Sequence, residues 1–189
     1  MSGPVVATPR LAQRSRRGAW FGVSACIASL AGAAVCEEKP TIAKINGYTI
    51  TLPPGWSTNA DAGEGVTFAS LDSFADDVEC QLQFYSVPVT PEMFTRVTHE
   101  SMSASGTAPA KLTTGLGVFE GTTFTAKIPE DTAIGKSAQL AGKPMGEAYL
   151  GGPPEKPIGV VIMTFDGEGE AARKQLRDKC ANAIASLRR

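Results

Sequence analysis

The sequence predicts one α+β domain, an antiparallel sheet flanked by helices in an α-β-α sandwich. Two observations carry this prediction: alternating apolar runs are linked by hairpin turns, and only two stretches have helical spacing. The chain has 189 residues, of which 42% are hydrophobic and 20% charged, an ordinary composition for a folded domain. The length suits a single domain behind a short leader.

The leader is residues 1–36, which contain four arginines and no acidic residue, and in which residues 18–35 carry no charge. This pattern is typical of a secretory signal peptide. The uncharged run is also near the ~20 residues that an N-terminal membrane anchor needs. We therefore expect a signal peptide or anchor at residues 1–36, a tether at 37–40 and the domain at 41–189, outside the cytoplasm in the periplasm or on the outer cell surface. An Arg-rich organelle transit peptide is the alternative.

Cys36 ends the apolar run and resembles the lipidated cysteine of a bacterial lipoprotein. Val35 precedes it, where such signals carry Gly, Ala or Ser. Cys26 has a better local context but leaves a very short apolar run. Lipidation of Cys36 is therefore a hypothesis that would hold the domain at a membrane.

The charge of the domain excludes some partners. Residues 37–189 carry 14 basic and 19 acidic side chains, a net charge of −5. Nucleic-acid binding requires a basic surface, so we expect no nucleic-acid partner. The net negative charge also argues against electrostatic binding to anionic lipids.

The first predicted element is a hairpin whose turn is Asn46-Gly47, the strongest short-range hairpin signal. With this turn, Ile45 pairs with Tyr48 and the apolar residues of both strands share one face. Pro53 and Pro54 then stop the second strand, and Trp56 is predicted to anchor on the core edge.

Residues 57–65 are predicted to form a loop, 66–69 a strand, 70–77 a turn and 78–87 a long alternating strand. The polar side of this last strand, which carries Gln81 and Gln83, is expected to be wet or to cover a groove. Thr90 as N-cap and Pro91 at the first position predict a helix over residues 91–104, ended by Gly106.

The second half predicts four more strands and a final helix. Strands at 111–119 and 122–128 would turn at Glu120-Gly121, and strands at 143–150 and 157–165 would be linked by residues 151–154. Apolar residues on both faces of the last strand predict a central position. Acidic residues up to Glu170 lead into the final helix, whose end the two terminal arginines would stabilise.

Cys80 and Cys180 lie on the apolar faces of the long strand and the final helix. A helix packed on that sheet would bring the sulfurs together, so we predict a Cys80–Cys180 disulfide, which export to an oxidising compartment favours. The alternative is a pair of buried thiols that act as small hydrophobic side chains.

The segment Tyr48-Thr49-Ile50-Thr51-Leu52-Pro53-Pro54-Gly55-Trp56 and the element order after it resemble the PsbP-like/DcrB-like domain family, over about residues 40–188. The resemblance implies an α-β-α sandwich and extracytoplasmic proteins, many of them lipoproteins. Its members include photosystem II accessory subunits, bacterial envelope proteins and secretion-system immunity proteins, and a Ran-binding nuclear transport factor shares the fold. Most have no known catalysis and no shared active site.

Sequence signals for catalytic, phosphate-binding or metal-binding residues are weak. His99, the only histidine, lies on the predicted helix without a nucleophile motif. Neither the Gly115-x-Gly117 pattern nor Gly151-Gly152 has a phosphate-loop context, so both are expected to be bulges or turns. Tyr149 and Trp56 are expected in the core or at its rim rather than in a groove. Calcium binding would require Asp166, Glu168 and Glu170, and a carboxylate-based hydrolase would use Asp76, Asp77, Glu130 or Asp131.

We therefore predict a non-catalytic accessory or binding domain, with no cofactor and no metal, that docks a protein partner in the cell envelope. It would reach the membrane through the leader or a lipid on Cys36. The alternatives are an immunity protein that blocks a secreted toxin and a carboxylate-based hydrolase.

Overall fold

A computed structural model describes residues 39–72, 78–127, 145–164 and 169–189. This part of the chain contains nine strands and two helices, whereas the sequence predicted about seven strands. In chain order they are β1 (Thr41–Ile45), β2 (Tyr48–Leu52), β3 (Ser57–Ala62), β4 (Val66–Asp72), β5 (Val78–Tyr85), α1 (Pro91–Ser101), β6 (Ser105–Thr114), β7 (Gly117–Thr125), β8 (Met145–Gly151), β9 (Ile158–Thr164) and α2 (Glu170–Ala185).

Seven of the strands form one antiparallel sheet in the order β3-β4-β5-β9-β8-β7-β6. The predicted central strand, β9, is the middle strand of the seven. β1 and β2 form a separate two-stranded ribbon. The predicted α+β class with an antiparallel sheet is therefore confirmed.

The helices lie on opposite faces of the sheet, because β9 contributes alternate side chains to two separate cores. Ile158, Val160 and Ile162 join the core that contains α2 and the ribbon, which we call the ribbon face. Val161 and Met163 join the core that contains α1, which we call the α1 face. This layering is the α-β-α sandwich that the sequence predicted.

The ribbon has the predicted turn and register. Asn46 and Gly47 have φ of 49° and 82°, and Ile45 is paired with Tyr48. Its inner side chains, with Trp56, belong to the core of the ribbon face. The ribbon therefore covers one part of the sheet and does not extend the sheet with further strands.

Helix α1 begins as predicted but ends earlier. Thr90 Oγ1 accepts a hydrogen bond from the amide of Met93 at 3.2 Å, and Pro91 is the first helical residue. The helix ends at Ser101 because Ser103 adopts a left-handed φ of 45°, so that Ser103 and Ala104 donate back to Glu100 and His99. The prediction that the helix extends to residue 104 and ends at Gly106 was wrong, since Gly106 lies in β6.

The predictions for the segments that form β3, β4 and β5 were wrong in part. Residues 57–62 form β3 rather than a loop, and β4 continues to Asp72. β3 is an edge strand whose side chains are nearly all exposed, so it lacks the apolar alternation that identifies a strand. The predicted strand over residues 78–87 ends at Tyr85.

The turn between β6 and β7 lies at residues 115–116, and Glu120-Gly121 is inside β7. Gly115 permits this turn to lie against the end of the chain. Its amide donates to Ala185 O at 3.0 Å, and a Cβ on Gly115 would be 2.5 Å from Leu187 O. The contact that positions the turn is thus 70 or more residues away in sequence, which no local pattern shows.

Helix α1 docks through the buried ring of Phe94, which lies over Gly159 of β9. A Cβ on Gly159 would be 2.5 Å from Phe94 Cε2 and 2.9 Å from Cζ. The absence of a side chain at this position therefore sets how closely the helix approaches the sheet.

We expect Gly159→Ala to destabilise the protein by about 1–3 kcal/mol, because the methyl group overlaps the ring of Phe94, which is buried. Urea unfolding would measure the change. Gly63→Ala is the matched control, since the nearest atom to its new Cβ would be Val66 O at an ordinary 3.4 Å.

Phe94→Leu removes the two overlapping ring atoms. The double variant Gly159→Ala/Phe94→Leu should therefore lose less stability than the sum of the single variants. Strict additivity would show that the ring is not what Gly159 accommodates.

Candidate functional site

The predicted disulfide is present at the centre of the ribbon face. Cys80 of β5 and Cys180 of α2 are bonded, with a Cα–Cα distance of 5.9 Å. Both residues are fully buried. The bond therefore ties the final helix to the middle of the sheet, and neither sulfur is exposed to a substrate.

A second link between α2 and the sheet is a cluster of charged and phenolic groups. Arg177 of α2 donates to both carboxylate oxygens of Glu147 on β8, at 2.8 and 3.0 Å. The Tyr149 hydroxyl donates to the same carboxylate at 2.5 Å. Asp178 accepts from Arg177 and from Lys174. We call these residues the α2 clamp.

The α2 clamp is electrostatically satisfied. The hydrogen bond to Glu147 is the main cause that raises the pKa of Arg177. Burial, then the bond to Glu147, raises the pKa of Tyr149. Lys174, then Arg177, lowers the pKa of Asp178. The tyrosine stays protonated, the arginine charged, and the carboxylate of Glu147 is occupied by three bonds, so the arrangement stabilises helix docking rather than moving protons.

The polar side of β5 is buried, so the prediction that it is wet was wrong. Gln81 and Gln83 are only 4% and 3% exposed. Gln83 Nε2 donates to Gln81 Oε1 at 2.8 Å, and the Tyr85 hydroxyl donates to Gln83 Oε1 at 2.6 Å. Burial raises the pKa of Tyr85 to about 12. The amide of Gln83 can be buried because it donates to Gln81 and accepts from Tyr85.

His99 is partly buried between α1 and β7. Its Nε2 is hydrogen-bonded to Thr122 Oγ1 at 2.8 Å, and its ring meets Phe124 edge-on at 5.1 Å. Burial lowers its pKa. His99 therefore joins the helix to the sheet, and its hydrogen-bond partner is a threonine hydroxyl rather than a member of a catalytic pair.

The structure also places the other candidates. Tyr149 and Trp56 are buried, which confirms the core interpretation. Gly115 is in the β6–β7 turn, Gly117 begins β7, and Gly151-Gly152 leads out of β8. Glu170 is exposed in the first turn of α2. Outside the described residues lie Cys26, Cys36, Asp76, Asp77, Glu130, Asp131, Asp166 and Glu168.

Two classes of site are absent from the described residues. They contain no group of three or more His, Cys, Asp or Glu side chains that could hold a metal ion. Nor does this part of the chain include a helix both long and apolar enough to cross a bilayer.

Sequence reasoning missed the role of the last residues, because α2 ends at Ala185 and the two arginines lie beyond it. Arg188 forms an antiparallel bridge with Thr49, through backbone bonds of 2.8 and 3.0 Å. Arg189 lies over the ring of Tyr48, 5.9 Å from its centroid. Apolar spacing gave no signal for this pairing, since a single bridge is too short to show alternation.

Comparisons with known proteins give structural similarities alone. No known protein-family model matches the sequence, and no curated protein matches it. A search of solved structures finds the Ran-binding protein Mog1p of Saccharomyces cerevisiae, with a TM-score of 0.48 and 10% identity over 80% of this chain and 95% of that one. A mutant of Mog1 gives the same TM-score and identity over 79% and 95%.

Removing the carboxylate of the α2 clamp should destabilise the fold. We expect Glu147→Ala to cost about 2 kcal/mol, because it leaves Arg177 and the buried Tyr149 hydroxyl without their shared acceptor. Urea unfolding would measure it. Glu147 is 15% exposed and Arg177 34%, so solvent screening is limited.

Glu120→Ala is the matched control, since the Lys111–Glu120 pair is about 70% exposed on both sides. Its loss should change the unfolding free energy by less than about 1 kcal/mol. Equal effects of the two substitutions would contradict a special role for the α2 clamp.

Stability should fall on mild acidification because of His99. Its pKa is lower in the folded than in the unfolded state, so its contribution is complete above about pH 6.5 and is lost as pH falls through the folded-state pKa. Thermal unfolding between about pH 7 and pH 5 would show this decline.

His99→Gln should flatten that part of the pH profile while retaining a polar group beside Thr122. Because the chain has one histidine, any remaining change at lower pH belongs to carboxyl groups. An unchanged slope in the variant would assign the effect elsewhere.

Proposed function

We propose that this chain is a non-catalytic binding domain that acts outside the cytoplasm and docks a protein partner in the cell envelope. The observation that carries the proposal is the buried Cys80–Cys180 disulfide, which lies between the central part of the sheet and the final helix. Such a structural disulfide forms and persists in oxidising compartments such as the periplasm. The basic and apolar leader supports the same location.

The use of the polar groups supports a binding role. Among the described residues, several charged and phenolic groups that are buried or partly buried take part in structural contacts: Glu147 and Tyr149 in the α2 clamp, Tyr85 with Gln83, and His99 with Thr122. An active site generally leaves an activated group open to substrate. These contacts support a function that lies on the surface of the domain.

We also propose membership of the PsbP-like/DcrB-like family. The helix on each face of an antiparallel sheet, the Asn46-Gly47 hairpin and the buried Trp56 after Pro53 support it. This family supplies accessory proteins of the cell envelope, which agrees with a partner-binding role. A lipid on Cys36 or a retained leader would keep the domain at the membrane surface.

The redox state of the cysteines in cells tests the location. Cells expressing the full chain are quenched in acid, and free thiols are labelled with a maleimide polymer before and after reduction. We expect two additional labels per chain only after reduction, and recovery of the protein in the envelope fraction. A Cys80→Ala/Cys180→Ala variant should show no such increase.

Crosslinking of intact cells with a membrane-impermeant amine reagent, followed by mass spectrometry, tests the partner. We expect a reproducible adduct with an envelope protein. Recovery of the chain in the cytosol with both thiols reduced would overturn the location, and the absence of any adduct would overturn the docking role.

A further inference from the structure

Three described strands have a side that no other described strand occupies. β3 and β6 are the ends of the seven-stranded sheet, and β1 is the free side of the ribbon. The other side of the ribbon is closed, because β2 pairs with Arg188. A free strand side presents unpaired amides and carbonyls, to which an extended peptide can add.

The β6 edge is blocked. Thr114 and Gly117 flank the two-residue turn between β6 and β7 and form a hydrogen-bonded pair, and hydrogen-bonded and non-hydrogen-bonded pairs alternate from there along the strands. Pro109 and Thr122 are a non-hydrogen-bonded pair in this series, so the backbone nitrogen of Pro109 points to the free side. Proline has no amide hydrogen to donate there. Lys111 on the same strand is already paired with Glu120 at 3.2 Å.

The β3 edge is open but offers little to hold a ligand. Its sequence is Ser-Thr-Asn-Ala-Asp-Ala, and every side chain except that of Thr58 is exposed. No large apolar side chain is present to anchor a peptide. Asp61 would repel an acidic segment.

The β1 edge combines free backbone with an anchor. Ile45 and Tyr48 flank the two-residue turn, so Ile45 and Ala43 use their backbone groups towards β2, and those of Ile42 and Lys44 point to the free side. Ile42 is 68% exposed, the highest value among the large hydrophobic residues of the described part. Its side chain shares the outer face of the ribbon with that of Lys44.

The outer face is also basic. Lys44 pairs with Thr49, and Thr49 pairs with Arg188, so the three residues form one row across the ribbon. The neighbours of Arg188 confirm its direction, since Leu187 is buried and Arg189 lies over Tyr48, both on the inner side. Among the described residues, neither Lys44 nor Arg188 forms an ion pair with a carboxylate.

We propose that the β1 edge binds an extended acidic segment of the partner protein as an added strand. Backbone groups of Ile42 and Lys44 pair with the segment, an apolar side chain packs beside Ile42, and an acidic one lies next to Lys44 and Arg188. A second copy of this chain fits poorly, because two Lys44 and two Arg188 side chains would meet on one face. The inference depends on the proposed docking function and names its surface.

The test uses the full chain, isotope-labelled, with a short peptide of alternating valine and glutamate as the probe. NMR should show shift changes at Ile42, Lys44 and Arg188, and slower hydrogen exchange of the Ile42 and Lys44 amides when the peptide is present. High salt should weaken the binding. A peptide of alternating valine and lysine should not bind.

Lys44→Glu should weaken the binding about tenfold, since it replaces an attractive charge by a repulsive one. Lys111→Glu on the blocked β6 edge is the matched control and should leave the binding unchanged. Both positions are exposed, and unchanged melting temperatures would show that the variants are folded.

Shift changes centred on β3 or β6, equal binding of the lysine peptide, or no binding at all would overturn the inference. The crosslinking experiment separates this result from the docking role. If the Lys44→Glu variant still forms the envelope adduct, the partner does not bind at the β1 edge and the docking role stands. If the natural chain forms no adduct, the docking role itself is rejected.

Discussion

The position of α2 on the ribbon face is the constraint on which the rest of the structure depends. The disulfide fixes Cys180 to Cys80 on β5, and the α2 clamp fixes Arg177 to Glu147 on β8. The two links lie one helical turn apart, so they determine both the position and the rotation of the helix. The disulfide closes a loop of 100 residues, for which chain entropy gives up to ~4.7 kcal/mol. β6 to β9 and most of β5 lie within that loop, whereas β3 and β4 precede it.

Both faces of the sheet are closely packed, and on each of them a strand glycine receives an aromatic ring, with Phe119 against Gly151 on the ribbon face. On the ribbon face, large aliphatic side chains from the helix, the ribbon and the sheet meet around the disulfide. On the α1 face, strand glycines receive aromatic rings, as with Phe94 over Gly159 and Phe124 over Gly146. The buried side chain of Gln83 donates a hydrogen bond to that of Gln81 on the same side of β5. The α1 face therefore combines close packing around glycines with hydrogen bonds between buried polar side chains.

Sequence reasoning succeeded where one local signal determined the structure. The Asn46-Gly47 turn, the Thr90 cap, the central β9 and the facing cysteines are of this kind. It failed where the outcome depended on a partner that apolar spacing does not reveal: β3 exists because β4 pairs with it, the β6–β7 turn lies at Gly115 because the chain end packs there, and Gln83 is buried because Gln81 and Tyr85 satisfy its amide. The basic row on the ribbon was missed for the same reason, since Lys44 and Arg188 are adjacent only through Thr49.

The ribbon is better suited than the main sheet to receive an added strand. Its inner face is fixed by Tyr48, which is stacked on Phe84 at 5.4 Å, and its β2 side is fixed by the backbone bonds between Thr49 and Arg188. A strand that joins β1 would therefore leave the seven-stranded sheet and both helices unchanged. Only the incoming segment would need to become ordered on binding. Because the β1 edge is already formed, the conformational entropy lost on binding is smaller than it would be for a flexible edge. The same row of positive charge that attracts an acidic segment also opposes pairing between copies, so one feature provides both affinity and selectivity.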